Sequence, residues 1–288
     1  MKAYLDIVNK ILEEGVLKEN RTGIDTLAIA GCCFQHDMSG GFPLLTTKKM
    51  PLHLVSSELE FFIKGLTDKK WLQDRKNHIW DAWCNPKKVP YGHDEETKRK
   101  MAAERDLGPI YGFQWRHFGA DYEGYDADYS GKGIDQLGGI VNMLKTNPQD
   151  RRMIVSAWNP KALPEMALPP CHYSFQVTVI DDKLNLAWNQ RSVDTMLGLP
   201  FNIAGYGLLL HLLAKESGLK EGMLTGFLMD THIYVNHLKG VKDQLSREPY
   251  VLPKVGTLNF YSIFDWEYTQ TNAMDYKSHP AIKFEIAV

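Results

Sequence analysis

Residues 171–192, "CHYSFQVTVIDDKLNLAWNQRS", decide the fold class. Two runs rich in β-branched and aromatic residues, 172–180 and 183–192, flank the turn "DDK", the pattern of two strands in a hairpin. Outward along the chain, "NIAGYGLLLHLLAKESGL" (202–219) is a mostly apolar helix, and "GFLMDTHIYVNHLKGVKDQLSRE" (226–248) runs from a strand into another helix. On the other side, "RRMIVSAWNP" (151–160) reads as a strand and "IDQLGGIVNMLKTNP" (134–148) as a helix stopped near Pro148. Further upstream, apolar positions at helical spacing mark residues 4–15. "TLAIAGCCFQHDM" (26–38) reads as a strand, and "LHLVSSELEFFIKGL" as a helix ended by Gly65. Hairpin-connected strands mixed with helices point to an α/β (α+β) fold. Its sheet is largely antiparallel or mixed rather than a Rossmann repeat, and no GxGxxG or Walker sequence appears.

With 288 residues, 44% hydrophobic and 24% charged, the chain suits one large globular domain or two small ones. Two polar stretches, near 85–107 and 119–133, read as surface insertions on one framework covering 1–288, too short to be domains. A net charge of -2 supplies no basic field for nucleic acid. The four cysteines, Cys32, Cys33, Cys84 and Cys171, form no CxxC pair and suggest a reduced, cytoplasmic protein. The first helix carries acidic residues and is no signal peptide, no run is long enough to span a membrane, and no metal-ligand cluster is visible.

Cys171 follows two prolines and precedes His172. A thiol becomes a nucleophile when positive charge or hydrogen bonding stabilises its thiolate, and His172, Arg21, Arg151, Arg152 and Arg191 are candidates to do so. The plainer reading is a small buried hydrophobe at a strand end, which single cysteines more often are. Four arginines at element boundaries, with Ser192 beside Arg191, fit a phosphate site, although a patch for a partner's carboxylates has the same appearance. Asn202 is either a helix cap or an amide that reads a ligand edge offering one donor and one acceptor. Asp194 is likewise a cap or a ligand acceptor. Glu58 and Glu60 lie two apart on a helix and face different ways, so only one can serve a given pocket and at least one should be solvated. The aromatics of "HIWDAW" are either core or a stacking wall.

Six segments in order, "ENRTG", "LGPIYGFQWR", "DRRMIVSAWNP", "ALPPCH", "QRSVDTMLGLPFNIA" and "DTHIYVNH", resemble the folate-dependent thymidylate synthases over nearly the whole chain. The resemblance implies a three-layer fold whose twisted mixed sheet forms a homodimer interface. It implies a methyltransferase of nucleotide biosynthesis, making dTMP and dihydrofolate from dUMP with methylenetetrahydrofolate as co-substrate and no metal. Carried over residue by residue, Cys171 corresponds to the nucleophile that attacks carbon 6 of the pyrimidine. Arg21, Arg191 and Ser192 correspond to phosphate ligands, and Arg151 and Arg152 to a pair donated by the other subunit. Gln190 and Asn202 fall at nucleotide-contacting positions, with Asn202 pairing with the uracil edge, while His232 and Tyr234 correspond to groups holding the sugar hydroxyl. Glu58 corresponds to the glutamate that organises proton transfer, and Tyr111 and His172 to polar residues behind the thiol. Asp194 matches the pterin acceptor. Ile79, Trp80, Trp83, Leu197, Gly198 and Phe201 match the apolar wall of the folate site, and Val288 the tail closing over it. The two prolines are then expected to stiffen the approach to the sulfur.

Five positions depart from the family pattern: Glu60, Phe113, Asn189, Gly205 and Met229. Several lie beside nucleotide motifs, which leaves substrate choice open to a pyrimidine nucleotide (dUMP or dCMP) hydroxymethylase on the same fold. Hydroxymethylases acting on cytosine tend to carry aspartate at the position of Asn202, so the asparagine favours uracil. A non-catalytic nucleotide- or RNA-binding protein has no need of the thiolate that Cys171 offers.

Overall fold

The structure, a computed structural model, describes residues 1–286; Val288 lies outside them. The elements run α1 (Lys2–Glu14), β1 (Val16–Lys18), β2 (Thr26–Asp37), α2 (Leu52–Ile63), α3 (Lys69–Gln73), α4 (Glu95–Ala103), α5 (Tyr111–His117), α6 (Gln136–Thr146), β3 (Ile154–Ser156), β4 (His172–Ile180), β5 (Lys183–Asp194), α7 (Gly198–Ser217), β6 (Lys220–Tyr234), α8 (Leu238–Leu245), β7 (Lys254–Thr257) and β8 (Thr271–Met274). A six-stranded sheet has the order β1-β2-β6-β5-β4-β3, and β7 and β8 form a separate ribbon. Only β5 and β6 run parallel; their neighbours are antiparallel. The sheet is therefore mixed, as the hairpin pattern indicated.

The β4–β5 turn is made by Asp181 and Asp182, both at positive φ, 52° and 55°. Two left-handed residues twist the turn to match the strands, and aspartate tolerates that region because its short side chain bonds locally. The parallel β5–β6 pair needs a long crossover, and α7 supplies it. This helix buries Leu208, Leu209, Leu210, Leu212 and Leu213 in succession, so it is enclosed on all sides. It lies on β5 and β6, with α2 packed over it and α5 against α2. Burying a leucine of this kind stabilises by about 2 kcal/mol, and the run makes α7 the fixed floor beneath the site. Its left-handed C-cap, Gly218 at φ 70°, ends the helix.

Both polar stretches are mostly exposed, as their composition indicated, and each is anchored to the framework. Tyr122 and Tyr129 stack at 6.0 Å and meet the edge of Phe113 at 5.1 and 4.8 Å. The Tyr122 hydroxyl donates to Asp106 at 2.6 Å. The other stretch is held from outside by buried Lys69, which donates to the carbonyl of Met101 at 2.6 Å as well as to those of Asp81 and Trp83 at 3.2 and 2.9 Å. Polar composition marked them as surface excursions; long-range hydrogen bonds and aromatic contacts, invisible locally, pin them down.

Candidate active site

Cys171 immediately precedes β4, and its backbone N–H donates to the Tyr111 hydroxyl at 2.8 Å. Across the strand pair, the Arg191 guanidinium donates to the carbonyls of Pro170 at 2.9 Å and Pro169 at 2.7 Å. The same fork lies 3.7 Å from the Cys171 sulfur. The prolines thus do more than stiffen the chain. With φ fixed, they hold two carbonyls where one planar guanidinium takes both, and this sets the cation beside the sulfur. Burial pushes the thiol above its ordinary range, while Arg191, then Arg21, and the Tyr111 hydroxyl pull the other way. Burial prevails, so the sulfur is a neutral thiol at pH 7, with positive charge in place to stabilise the thiolate once its proton leaves.

His172 is not that positive charge. Strand β4 contains an irregularity between His172 and Ser174, where His172 pairs with Gln190 and Ser174 with Asn189. One extra residue reverses the in–out alternation. His172 therefore joins the inner face with Phe175 and Val177, and Tyr173 turns outward. Its ring stacks on Tyr111 at 4.3 Å and its Nδ1 meets the Tyr206 hydroxyl at 2.9 Å. Burial pushes its pKa down to about 3, so the imidazole is neutral. Of the candidate cations, Arg191 is the one at the thiol.

The thiol opens on a cleft of about 560 Å³ lined by Arg21, Arg191, Ser192, His232 and Tyr234, with Asp194 and Trp83. Arg21 is exposed, with its guanidinium 5.9 Å from the Tyr91 ring. His232 faces Asp230 through Nδ1 at 2.9 Å, which leaves Nε2 for the cleft. Asp230 is also bonded by Lys18. Burial raises its carboxyl, but the bonds from Lys18 and His232 outweigh it and hold the group below the usual carboxylate range. Lys18 and Asp230 line the cleft too, and sequence reasoning missed them; "DTH" at 230–232 places Asp230 two residues before His232, on the same strand face, and was the available signal. Arg151 and Arg152 are exposed and do not line the cleft; Arg152 forks onto Asp150 at 3.0 and 2.6 Å.

A second, small cavity of about 30 Å³ is lined by Glu58, Phe62, His172, Phe201, Asn202 and Gly205, among others. Glu58 accepts from the Trp80 indole at 2.8 Å. Burial lifts its pKa to about 7, against the lowering effect of that bond. Glu60 faces away from this cavity, as the two-residue spacing required, but neither glutamate is on a solvated face. Glu60 is buried, bonded to Lys64 at 2.5 Å and to the backbone N–H of Tyr268 at 2.8 Å. A pairing 208 residues away is what the local pattern could not reveal.

Asn202 is not a helix cap: α7 begins four residues earlier, at Gly198. Its Oδ1 accepts from Gln190 Nε2 at 3.0 Å. Asp194 is no cap either: α7 has no side-chain cap, and Asp194 Oδ1 accepts from Met196 and Leu197 N–H at 2.9 and 3.1 Å in the turn ahead of the helix; this fixes the carboxyl and leaves its second oxygen free of those bonds. Ile79, Leu197 and Phe201 are half-buried apolar groups resting on the core. Trp80 is buried at 6.3 Å from Trp83, whose buried indole N–H has no partner among the described residues. Of the departures, Gly205 alone faces this cavity. Asn189 bonds Ser174 at 3.1 Å and shares a separate surface hollow with Met229, Phe113 is core, and Glu60 is buried elsewhere.

The whole-family comparison agrees with the geometry. Residues 2–288 match the family model described as thymidylate synthase. The chain is 44% identical over 289 residues to a thymidylate synthase of Varicella-zoster virus (strain Dumas), covering 99% of this chain and 93% of that protein. It is 44% identical to a bifunctional dihydrofolate reductase-thymidylate synthase of Paramecium tetraurelia and 45% identical to one of Leishmania major. These matches cover 99% and 100% of this chain but only 61% and 55% of those longer proteins. The chain belongs to the thymidylate synthase family.

Proposed function

We propose that this cleft carries out the reductive methylation of dUMP by methylenetetrahydrofolate, giving dTMP and dihydrofolate. The observation that carries the reading is the placement of Cys171 beside a clamped guanidinium in an arginine-lined cleft, with its neighbour His172 lining the cavity that holds Glu58 and Asn202. Arg21, Arg191 and Ser192 take the phosphate, and His232 with Tyr234 takes the sugar hydroxyl. Asn202 and Gln190 set the pyrimidine. Cys171 then bonds carbon 6, and carbon 5 becomes a carbon nucleophile that takes the one-carbon unit. Loss of the carbon 5 proton with cleavage of the bond between the one-carbon unit and the folate nitrogen leaves an exocyclic methylene and tetrahydrofolate; hydride transfer from that tetrahydrofolate to the methylene, giving dihydrofolate, and expulsion of the sulfur complete the exchange. Glu58, poised near neutrality, is suited to accept and return protons. Tyr111 and neutral His172 hold the strand end that carries the sulfur. Asp194 offers its free oxygen to the pterin, and Ile79, Trp80, Trp83, Leu197, Gly198 and Phe201 offer an apolar wall that excludes water.

The active unit in this reading is a homodimer within the cytoplasm, each chain one continuous unit over 1–288. The outer face of the sheet exposes Ile180, Phe227 and Met229, an apolar surface of the sort that marks an interface. Arg151 and Arg152, absent from their own chain's cleft, are then the pair donated to the partner's phosphate site. No helix among the described residues is long and apolar enough to cross a membrane. The test is purified protein with dUMP and methylenetetrahydrofolate. Formation of dTMP with dihydrofolate is expected; hydroxymethyl-dUMP without dihydrofolate would mean that water, not hydride, traps the methylene, and would overturn the reading.

A further inference from the structure

Asn202 can read a uracil edge only if its amide has a fixed polarity, and the structure contains a chain of bonds that fixes it. The chain begins at Trp188, on β5. Its ring is fully buried, stacked on Tyr206 at 5.2 Å and 9°, with Phe34 at 5.9 Å. Room for the indole comes from the facing strand, where its register partner is Gly226. A β-carbon there would lie 2.4 Å from the indole Cζ2, so the glycine and the tryptophan are a matched pair. The Trp188 indole N–H meets the side-chain amide of Gln190 at 3.0 Å. An indole nitrogen donates and never accepts, so the amide atom facing it is Oε1. Gln190 is buried, and its Nε2 is thereby turned to Ser192 O at 3.2 Å and to Asn202 at 3.0 Å. A donor facing Asn202 must meet Oδ1. Asn202 therefore presents its Nδ2 donors to the cavity it lines.

We propose that Trp188 is a specificity-positioning residue. Acting through Gln190, it holds the Asn202 amide so that Nδ2 faces the acceptor at position 4 of a uracil ring and rejects the amino donor that cytosine carries there. This assignment rests on the reading of the site as a dUMP site. Without the indole N–H, Oε1 of Gln190 loses its donor and only the Ser192 carbonyl still holds Nε2 on the Asn202 side, so the polarity of Asn202 is held by one anchor instead of two.

The experiment measures the dissociation constants of dUMP and dCMP by calorimetry for the wild type, Trp188→Phe, Gln190→Leu and the double variant. The wild type is expected to prefer dUMP by about a hundredfold, since a site built to pair a polar group rejects the mismatched one strongly. Trp188→Phe is expected to cut that preference about tenfold, the scale of one misdirected buried hydrogen bond. In the Gln190→Leu background the same change should leave the preference unmoved, because the relay is already broken. A merely structural tryptophan would instead weaken both nucleotides alike. If Trp188→Phe does not fold, a benzothiophene side chain installed at this position alone keeps the shape and removes only the N–H. An unchanged preference in a folded N–H-free variant, or an equal further drop without Gln190, overturns the relay. A wild type that does not prefer dUMP overturns the dUMP reading, and the relay with it.

Discussion

Replacement of Glu58 by glutamine gives a sharp quantitative test of the site's electrostatics. Burial raises the Glu58 carboxyl from 4.5 to about 7 in the folded protein. At about 1.4 kcal/mol per pH unit of difference, the ionised folded state is costlier by about 3 kcal/mol. The sign follows from proton binding: between 4.5 and about 7 the folded chain holds more protons than the unfolded chain, so stability falls as pH rises. The loss is under about 1 kcal/mol at pH 5 and nearly complete at pH 8. Glutamine has nearly the same shape and no charge to titrate. Glu58→Gln should therefore gain about 2 to 3 kcal/mol relative to wild type between pH 5 and pH 8, whatever its standing at pH 5. Urea unfolding followed by tryptophan fluorescence, with both proteins at one fixed concentration, measures this directly. A stability difference flat across that range would refute the argument that the carboxyl is held at the edge of ionisation by burial. The same variant should lose about a hundredfold or more in turnover, the scale of a lost proton-transfer group, while its stability relative to wild type rises from pH 5 to pH 8.

Trp80→Phe removes the donor that favours the ionised form of Glu58; the acidic limb of the kcat profile should move upward from near 7, and an unmoved limb would detach Glu58 from that limb. Arg191→Lys replaces a fork that spans two proline carbonyls with a single point. Alkylation of Cys171 by iodoacetamide at pH 7 should slow, and equal rates would show that Arg191 does not support the thiolate. Gly226→Ala drives a methyl into Trp188 and should cost about 1 to 3 kcal/mol, read from the urea midpoint. Arg151→Glu mixed with Cys171→Ser should regain about a quarter of wild-type activity once subunits exchange, because half of the dimers are then mixed and each has one intact site; no recovery after confirmed exchange would exclude a shared site.

Much of this was legible in the sequence because period-two and helical patterns are local. The hairpin at 172–192, the buried helix behind Asn202 and the arginines at strand ends all follow from neighbours within a turn or two. The corrections share a different cause. Glu60 reads as a helix-surface charge until Tyr268, far along the chain, closes on it. Asn202 reads as a cap because "GLP" at 198–200 does not announce a helix start, and Asp194, the other candidate, bonds the turn ahead of the helix instead. The charge state of His172 depends on enclosure by Tyr111 and Tyr206, which no spacing encodes.

The irregularity at Tyr173 shows how such non-local facts come to control chemistry. With strict alternation from the buried Phe175, Val177 and Val179, Tyr173 would point inward and His172 outward. The pairing of His172 with Gln190 instead swaps them. It sets the neutral imidazole beneath the Tyr111 ring, so that a hydroxyl backs the Cys171 N–H while no second cation competes with Arg191 for the thiolate. Gln190 faces inward by the unbroken alternation of β5 itself, in phase with Leu186 and Trp188, and there it links Trp188 to Asn202. One extra residue at the strand end thus serves the sulfur's half of the site, and a deletion that restored regular pairing would be expected to turn His172 outward and disable the thiol while leaving the Gln190–Asn202 bond in place.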